Sequence, residues 1–265
     1  MVNDFGAQQY WAVILGGSKG LGLATAQKLA RHGMNICLVH RTRKADLPTV
    51  EREVERLMAE GVSVKPYNLD ATNTEKRQNS IAELQAHLNG VGKVRALIHS
   101  LAKGNLKPMV STDGRQLQHD DFALTIDAMA ISLYDWAKDL LTASLFAPDA
   151  RIISFTSEGS LKAWQNYAAV SAAKAALEAI SRSMALEFAP LGIRANCIMA
   201  GVTDTDSLRM IPNHKDLLNH SQQRNPFARL TTPDDVANVA YLLCKDEAAW
   251  INGTVIPVNG GEHLQ

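Results

Sequence analysis

The chain has 265 residues, 46% of them hydrophobic, and its 27 basic and 27 acidic side chains cancel to a net charge of zero. That length and apolar content suit one α/β domain over 1–265 with a substantial core, and the even charge excludes an electrostatic hold on nucleic acid or an anionic membrane. No stretch approaches the ~18 apolar residues of a membrane span, and the opening "MVNDFGAQQYW" lacks the basic start and apolar run of a secretory signal, so a cytoplasmic location is expected.

Short apolar runs alternate with helical patterns from end to end. "WAVILG" (11–16) reads as a buried strand and "LGLATAQKLARHG" (21–33) as a helix stopped by Gly33. "NICLVH" (35–40) is a strand, "TVEREVERLMAEG" (49–61) an amphipathic helix, "VSVKPYNL" a strand and "NTEKRQNSIAELQAHL" a helix. "VRALIHS" (94–100) is a strand, followed by one long helix, "DDFALTIDAMAISLYDWAKDLLTASL". "ARIISFTS" (150–157) is a strand, a helix runs from 164 to about Ala189, and "IRANCIMA" is a strand. "TPDDVANVAYLLCK" is the last helix and "GTVIPVNGG" the last strand. Strands apolar on both faces that alternate with helices mean a parallel sheet, here of seven strands, covered on both sides in a doubly wound Rossmann-like fold. The stretch at about 203–228 fits no strand–helix unit. Its helical spacing of Leu208, Ile211, Leu217 and Leu218 suggests a lid before the last helix. Cys37, Cys197 and Cys244 lie far apart among apolar residues, with neither metal spacing nor a disulfide framework.

The first strand–helix junction, "LGGSKGLG", is built to hold a pyrophosphate. Gly16 permits a tight turn, Gly20 lets the backbone approach a phosphate at the helix N-terminus, and Gly22 lets helix and strand pack closely, with Ser18, Lys19 and Leu21 as further contacts. Glycines serving only a turn are the plain alternative. The second strand ends "LVHRTR". An acid there would hold the adenosine ribose. His40 takes that place, with Arg41 next and Lys19 in the loop, so NADPH is expected and NADH is the second choice. The run from Arg41 to Lys44 also reads as an ordinary solvated charge cluster.

"QNYAAVSAAKAALEA" places Tyr167 seven residues before Lys174. Seven residues turn a helix by ~700°, so the two side chains share a face, with the tyrosine ~4–5 Å further along the axis than a partner one turn away. The alanine-rich surroundings favour a packed, inward lysine over a surface one.

Over nearly its whole length the chain resembles the short-chain dehydrogenase/reductases. Carbonyl-reducing members have a tyrosine four residues before the lysine, a place held here by Ser171. The wider gap is similar to that of enoyl-acyl-carrier-protein reductases, and "QNYAAVSAAKAALEA" with "AGVTDTDSL" most resembles their NADPH-dependent type III. "LIHSLAKG", with His99, Ser100, Ala102 and Gly104, also resembles enoyl reductases. Met129 stands where carbonyl reductases hold a relay water on asparagine. Leu15 replaces a usual threonine and Ala200 a usual proline.

The resemblance implies roles for single residues. Tyr167 would meet the thioester oxygen and Lys174 the nicotinamide ribose. Asp70 would meet the adenine amino group, as an alternative to a turn acid. His99 and Ser100 would line the cofactor site. The loop at Gly201 and the backbone of Val202 would meet the nicotinamide amide, with Thr205 beside it or acting as a helix cap. Ser157 stands where carbonyl reductases keep a catalytic serine, and either bonds the thioester or caps a strand end. Leu101, Trp164, Leu208 and Ile211 would line the substrate site, with Trp164 equally a core aromatic. The expected activity is NADPH-dependent reduction of the trans-2 C=C of an acyl thioester on an acyl-carrier protein or coenzyme A. A 3-oxoacyl or general carbonyl reductase is the alternative, and a non-catalytic NADPH-sensing protein is the reading from another class. The resemblance also implies a homotetramer paired through the long helices at 121–146 and 164–189, with a dimer as the alternative.

Overall fold

Seven strands pair in parallel throughout in the order β3-β2-β1-β4-β5-β6-β7. They are Tyr10–Leu15 (β1), Asn35–His40 (β2), Val64–Asn68 (β3), Lys93–His99 (β4), Phe146–Thr156 (β5), Ile193–Ala200 (β6) and Val255–Val258 (β7). The computed structural model describes residues 4–211 and 213–265. The first three residues of the opening stretch and Pro212 of the expected lid lie outside the described residues.

The two faces of β1 show why the sheet is covered twice. Successive side chains point to opposite faces. Trp11, Val13 and Leu15 enter one core with α3 (Thr74–Leu88), α5 (Ser132–Thr142) and α6 (Ala168–Glu187). Ala12 and Ile14 enter the other with α1 (Gly20–Arg31), α2 (Leu47–Ala59) and α9 (Pro233–Cys244). Ile14 and Leu15 are fully buried, each worth roughly 1.5–3 kcal/mol relative to exposure.

The long helix expected from about 120 is not one rod. Helix α4 (His119–Ile126) passes into a π turn over Asp127–Ile131 before α5 begins, and Ser132 Oγ donates to the Ala128 carbonyl at 2.8 Å. A π turn inserts one residue into the ladder without breaking it, so sequence periodicity reads through it. Ser144, in the left-handed region at φ 54°, then turns the chain directly into β5, which starts at Phe146 rather than at 150. The lid region folds as α7 (Asp206–Arg209) and α8 (His214–Arg224).

The amino end of the sheet is tied by charge. Arg95, Arg151 and Arg194 all bond Asp149. Arg95 and Arg151 are 1% exposed, and they donate onward to the Cys244 and Leu243 carbonyls at the end of α9. Those carbonyls have no partner within the helix. Burial raises the Asp149 pKa, but Arg151 and Arg95 outweigh it and bring it down to about 2. A depressed carboxylate stabilises the fold above its unfolded pKa of ~3.9, and that stability is lost as pH falls through the folded value. Asp149→Asn should therefore lower stability at pH 7 by about 1–2 kcal/mol, a figure discounted for the partial exposure of the carboxylate. Denaturant melts should show the gap from wild type closing as pH falls from about 4 to about 2.

Candidate active site

Strand order reverses between β1 and β4, and in such sheets ligands sit in the crevice beyond the strand ends. Leu15 pairs with His99 across that point, and Ser100 N–H donates to the Leu15 carbonyl at 2.9 Å. Gly16 follows at φ +80°, and a Cβ on it would lie 2.5 Å from Ser100 O. A Cβ on Gly22 would lie 2.3 Å from Gly16 O. Both contacts are with backbone, so neither position admits a side chain without shifting a strand end. Helix α1 opens at Gly20, and its N-cap, Lys19, makes no side-chain cap bond. The cradle is of the kind that leaves helix N–H groups for an anion, and it fits a dinucleotide pyrophosphate.

Both cations expected at a 2′-phosphate are near the rim. Arg41 Nη1 lies 2.7 Å from Asp70 Oδ2, with Lys103 Nζ 3.4 Å from the same oxygen. Lys19 Nζ lies 3.0 Å from Asp206 of α7, and both partners are largely exposed. His40 is buried, 2.9 Å from Thr42 Oγ1, and burial lowers its pKa, so it is a neutral imidazole. Asp70 accepts from the Thr72 amide and hydroxyl. Burial raises its pKa, but Thr72, Arg41 and Lys103 together hold it well below the usual carboxylate range. Asp70, expected at the adenine or as a turn acid, accepts from Arg41 as well as from Thr72.

At the end of β4, His99 is 1% exposed with Nε2 2.9 Å from Ser132 Oγ. The Ser132 proton goes to Ala128 O, so His99 Nε2–H donates and Nδ1 is left as a buried acceptor without a protein partner. Burial, then the charge of Lys174, push its pKa down to about 3. His99, expected in the cofactor site, is a neutral ring that joins the end of β4 to Ser132 at the start of α5. Ser100 packs its carbonyl on Gly16 and its Cβ on Gly22. Leu101, expected at substrate, packs on Gly16 and the first core face.

Tyr167 lies just outside its expected helix. Asn166, at φ 61°, reverses the chain, and α6 begins at Ala168 with Tyr167 as its N-cap residue. The Tyr167 carbonyl still accepts from Ser171 N–H at 2.8 Å, so the first turn fixes its direction. The ring lies 5.2 Å from that of Trp164 and against Gly159, where a Cβ would come within 2.6 Å of it. Burial pushes the phenol pKa up, and the Ser157 hydroxyl opposes this. Ser157 Oγ is buried and forms no hydrogen bond of ordinary geometry.

Lys174 is 8% exposed, and its Nζ donates to the Phe155 carbonyl at 2.6 Å. Burial lowers its pKa to about 8, opposed by Cys197 and Glu178. Met129 closes one side, packed with Val170, Ala173 and Tyr167. It carries no donor to hold a water.

A cavity of about 680 Å³ opens beside Tyr167, with Pro108, Met109, Gly159, Leu161, Trp164 and Ser171 among its walls. Leu208 and Ile211 are not among those walls, so the lid does not close over this cavity as expected. Thr205 caps α7 by accepting from Leu208 N–H at 3.3 Å, and its methyl group sits above Gly20. Gly201 N–H donates to the Val258 carbonyl. The Val202 N–H, expected at the nicotinamide, is taken by Glu262 Oε2 at 3.2 Å. Sequence reasoning missed Glu262, Glu158 and Arg224. Arg224 Nη2 joins Glu158 at 2.6 Å and Glu262 at 2.7 Å in a buried bridge. No local motif marks such a bridge.

A family model described as enoyl-(acyl carrier protein) reductase matches residues 16–263. The chain is 28% identical to the enoyl-(acyl-carrier-protein) reductase (NADH) FabI of Haemophilus influenzae, over 93% of this chain and 90% of that protein. It is 27% identical to the 3-oxoacyl-(acyl-carrier-protein) reductase FabG of Pseudomonas aeruginosa, over 96% of this chain and 97% of that protein. Among solved structures, an enoyl-(acyl-carrier-protein) reductase (NADH) from Aquifex aeolicus superposes with a TM-score of 0.82 at 25% identity, covering 97% of this chain and 98% of that one. Overall identity does not separate the two chemistries.

Gly16→Ala tests the cradle. It should cost more than ~1 kcal/mol of stability, since it adds a methyl group at positive φ. Equilibrium dialysis should show nicotinamide dinucleotide affinity falling at least ~10-fold, because the shifted strand end no longer presents its amides.

Proposed function

We propose that this oxidoreductase, which belongs to the enoyl-(acyl carrier protein) reductase family of the short-chain dehydrogenase/reductases, reduces the trans-2 C=C of an acyl thioester with NADPH. The observation that carries this reading is the placement of the phenol. Tyr167 stands at the N-cap of α6, seven residues ahead of Lys174, with apolar Met129 packed against it. A phenol set back along the helix suits an oxygen two carbons from the carbon that accepts hydride. That is the geometry of an enoyl thioester rather than of a ketone. NADPH, when bound, supplies the hydride.

The protein's own groups do the rest. Tyr167 stays protonated because burial raises its pKa, so it donates a hydrogen bond to the thioester oxygen as negative charge gathers there. Lys174, positive below about pH 8, favours the same charge through space and holds the ribose hydroxyls. Ser157 Oγ lies beside the phenol and opposes the rise of its pKa. Trp164 and Met129 exclude water from the reacting centre, and the acyl chain runs along Met109 and Leu161. The proton for C2 comes from solvent by way of Tyr167. The carrier is an acyl-carrier protein or coenzyme A, and the enzyme is a homotetramer. The exposed Leu124, Ile131 and Tyr134 on the α4–α5 face support this assembly.

Choice of NADPH over NADH rests on Lys19 and Arg41 at the rim and on the absence of an acid at His40. A second reading, 3-oxoacyl reduction, draws on one observation: Ser157 beside Tyr167 reproduces the serine–tyrosine–lysine set of carbonyl reductases.

Two measurements test this. NADPH oxidation should be seen with a trans-2-enoyl thioester and not with a 3-oxoacyl thioester, and Tyr167→Phe should reduce it at least ~100-fold with NADPH affinity within ~3-fold of wild type. Turnover of the 3-oxoacyl thioester alone would favour the second reading. Arg41→Ala should raise KM for NADPH ~10-fold or more, the worth of one charge-assisted contact, and leave KM for NADH nearly unchanged.

A further inference from the structure

Lys174 and Glu178 stand one turn apart on α6, and both are buried, at 8% and 7% exposure. Adjacent residues of β5 receive them. The Phe155 carbonyl accepts from Lys174 Nζ at 2.6 Å, and Thr156 Oγ1 donates to Glu178 Oε1 at 2.6 Å. A carboxylate buried among strands is costly unless it is compensated, and nothing in the reduction proposed above uses it.

The groups around Lys174 leave it little choice of counter-charge. From the π turn, the uncharged Met129 packs on Val170 and Ala173 of α6. His99 on β4 is a neutral ring with its Nε2–H given to Ser132. Cys197 on β6 is a thiol whose pKa burial raises, so it too is uncharged at neutral pH, and it is hydrogen-bonded to Ser154. β5 offers a carbonyl and a hydroxyl. Among these groups Glu178 is the one carboxyl group.

We propose that Glu178 is a positioning residue that keeps the Lys174 amine cationic, fixed for that purpose by Thr156. It acts through Lys174 and touches neither substrate nor nucleotide. Burial alone drives the amine toward its neutral form, and a neutral amine neither holds a ribose as firmly nor favours negative charge on the thioester oxygen. The proposal rests on the nucleotide use proposed above, not on which thioester is reduced.

The test is the pH dependence of NADPH affinity, read from nucleotide fluorescence, for wild type, Glu178→Gln and Glu178→Asp. Wild-type affinity should fall as Lys174 loses its proton near about pH 8. Glu178→Gln keeps the Thr156 hydrogen bond and removes the charge. Its fall should begin about one pH unit lower, with affinity near wild type at about pH 6. Glu178→Asp should keep the wild-type limb. If Glu178→Gln does not fold, Glu178→Met fills the same space without charge and should show the same displaced limb. An uncharged variant whose limb coincides with wild type, with affinity lowered equally at every pH, would show a structural role and overturn the proposal. So would Glu178→Asp moving together with Glu178→Gln. A wild type that binds no NADPH at any pH overturns this proposal and the cofactor reading together. One that binds NADPH but spares the enoyl thioester overturns only the substrate reading.

Discussion

β1 and β4 lie side by side with Leu15 opposite His99, yet the chain leaves them toward opposite edges of the sheet. The divergence opens the crevice, and the site depends on how closely the two exits pass. Ser100 bonds Leu15 and rests its carbonyl on Gly16, while Gly22 lets α1 close against the same turn. A gap of one methyl group at either glycine would separate the two exits, and with them the dinucleotide cradle from the cavity beside Tyr167. Packing this tight is costly to disturb because backbone, unlike a side-chain tip, has no other rotamer to adopt.

Electrostatics divides the neighbourhood sharply. Burial shifts His99, Cys197 and Tyr167 alike toward the uncharged form, each through the same preference of a low-dielectric interior. Lys174 feels the same pull but is still cationic below about pH 8, with the Phe155 carbonyl on its amine and Glu178 one turn along α6. A charge in so poorly solvated a place projects its field with little screening. That is the condition under which it can favour negative charge developing on a substrate oxygen.

Much of this was legible in the sequence. The strands were, because runs such as "WAVILG" are apolar at every position, and only a sheet covered on both faces buries all of them. The phosphate cradle was legible because its three glycines fall together at the first strand–helix junction, although the contact with Ser100 that demands Gly16 comes from β4. The seven-residue spacing of Tyr167 and Lys174 is plain in the sequence, but the helix that carries Lys174 starts one residue after Tyr167. Asn166 at φ 61° makes Tyr167 a cap residue, and asparagine tolerates that conformation without announcing it. The π turn at Asp127–Ile131 was invisible because one extra residue leaves the apolar stripe of a long helix nearly intact. His99 was assigned to the cofactor on type. Its hydrogen-bond partner, Ser132, is 33 residues away, just after that π turn, and no local pattern joins the two.

The bridge from Arg224 shows what tertiary structure adds beyond any motif. Its guanidinium joins Glu158, in the loop that carries Ser157 and Gly159 past Tyr167, to Glu262 near the chain end. The other Glu262 oxygen holds the Val202 amide in the loop after β6. Helix α8, the active-site loop and the loop after β6 are therefore fastened through one buried cation. Lys162 lies 3.4 Å from the same Glu158 oxygen, so two cations face two acids in a poorly solvated place. Movement of α8 away from the site would take Arg224 from Glu262 and leave Glu158 with Lys162 alone. The lid region and the phenol loop are thus coupled by charge, although the lid's apolar residues do not line the cavity.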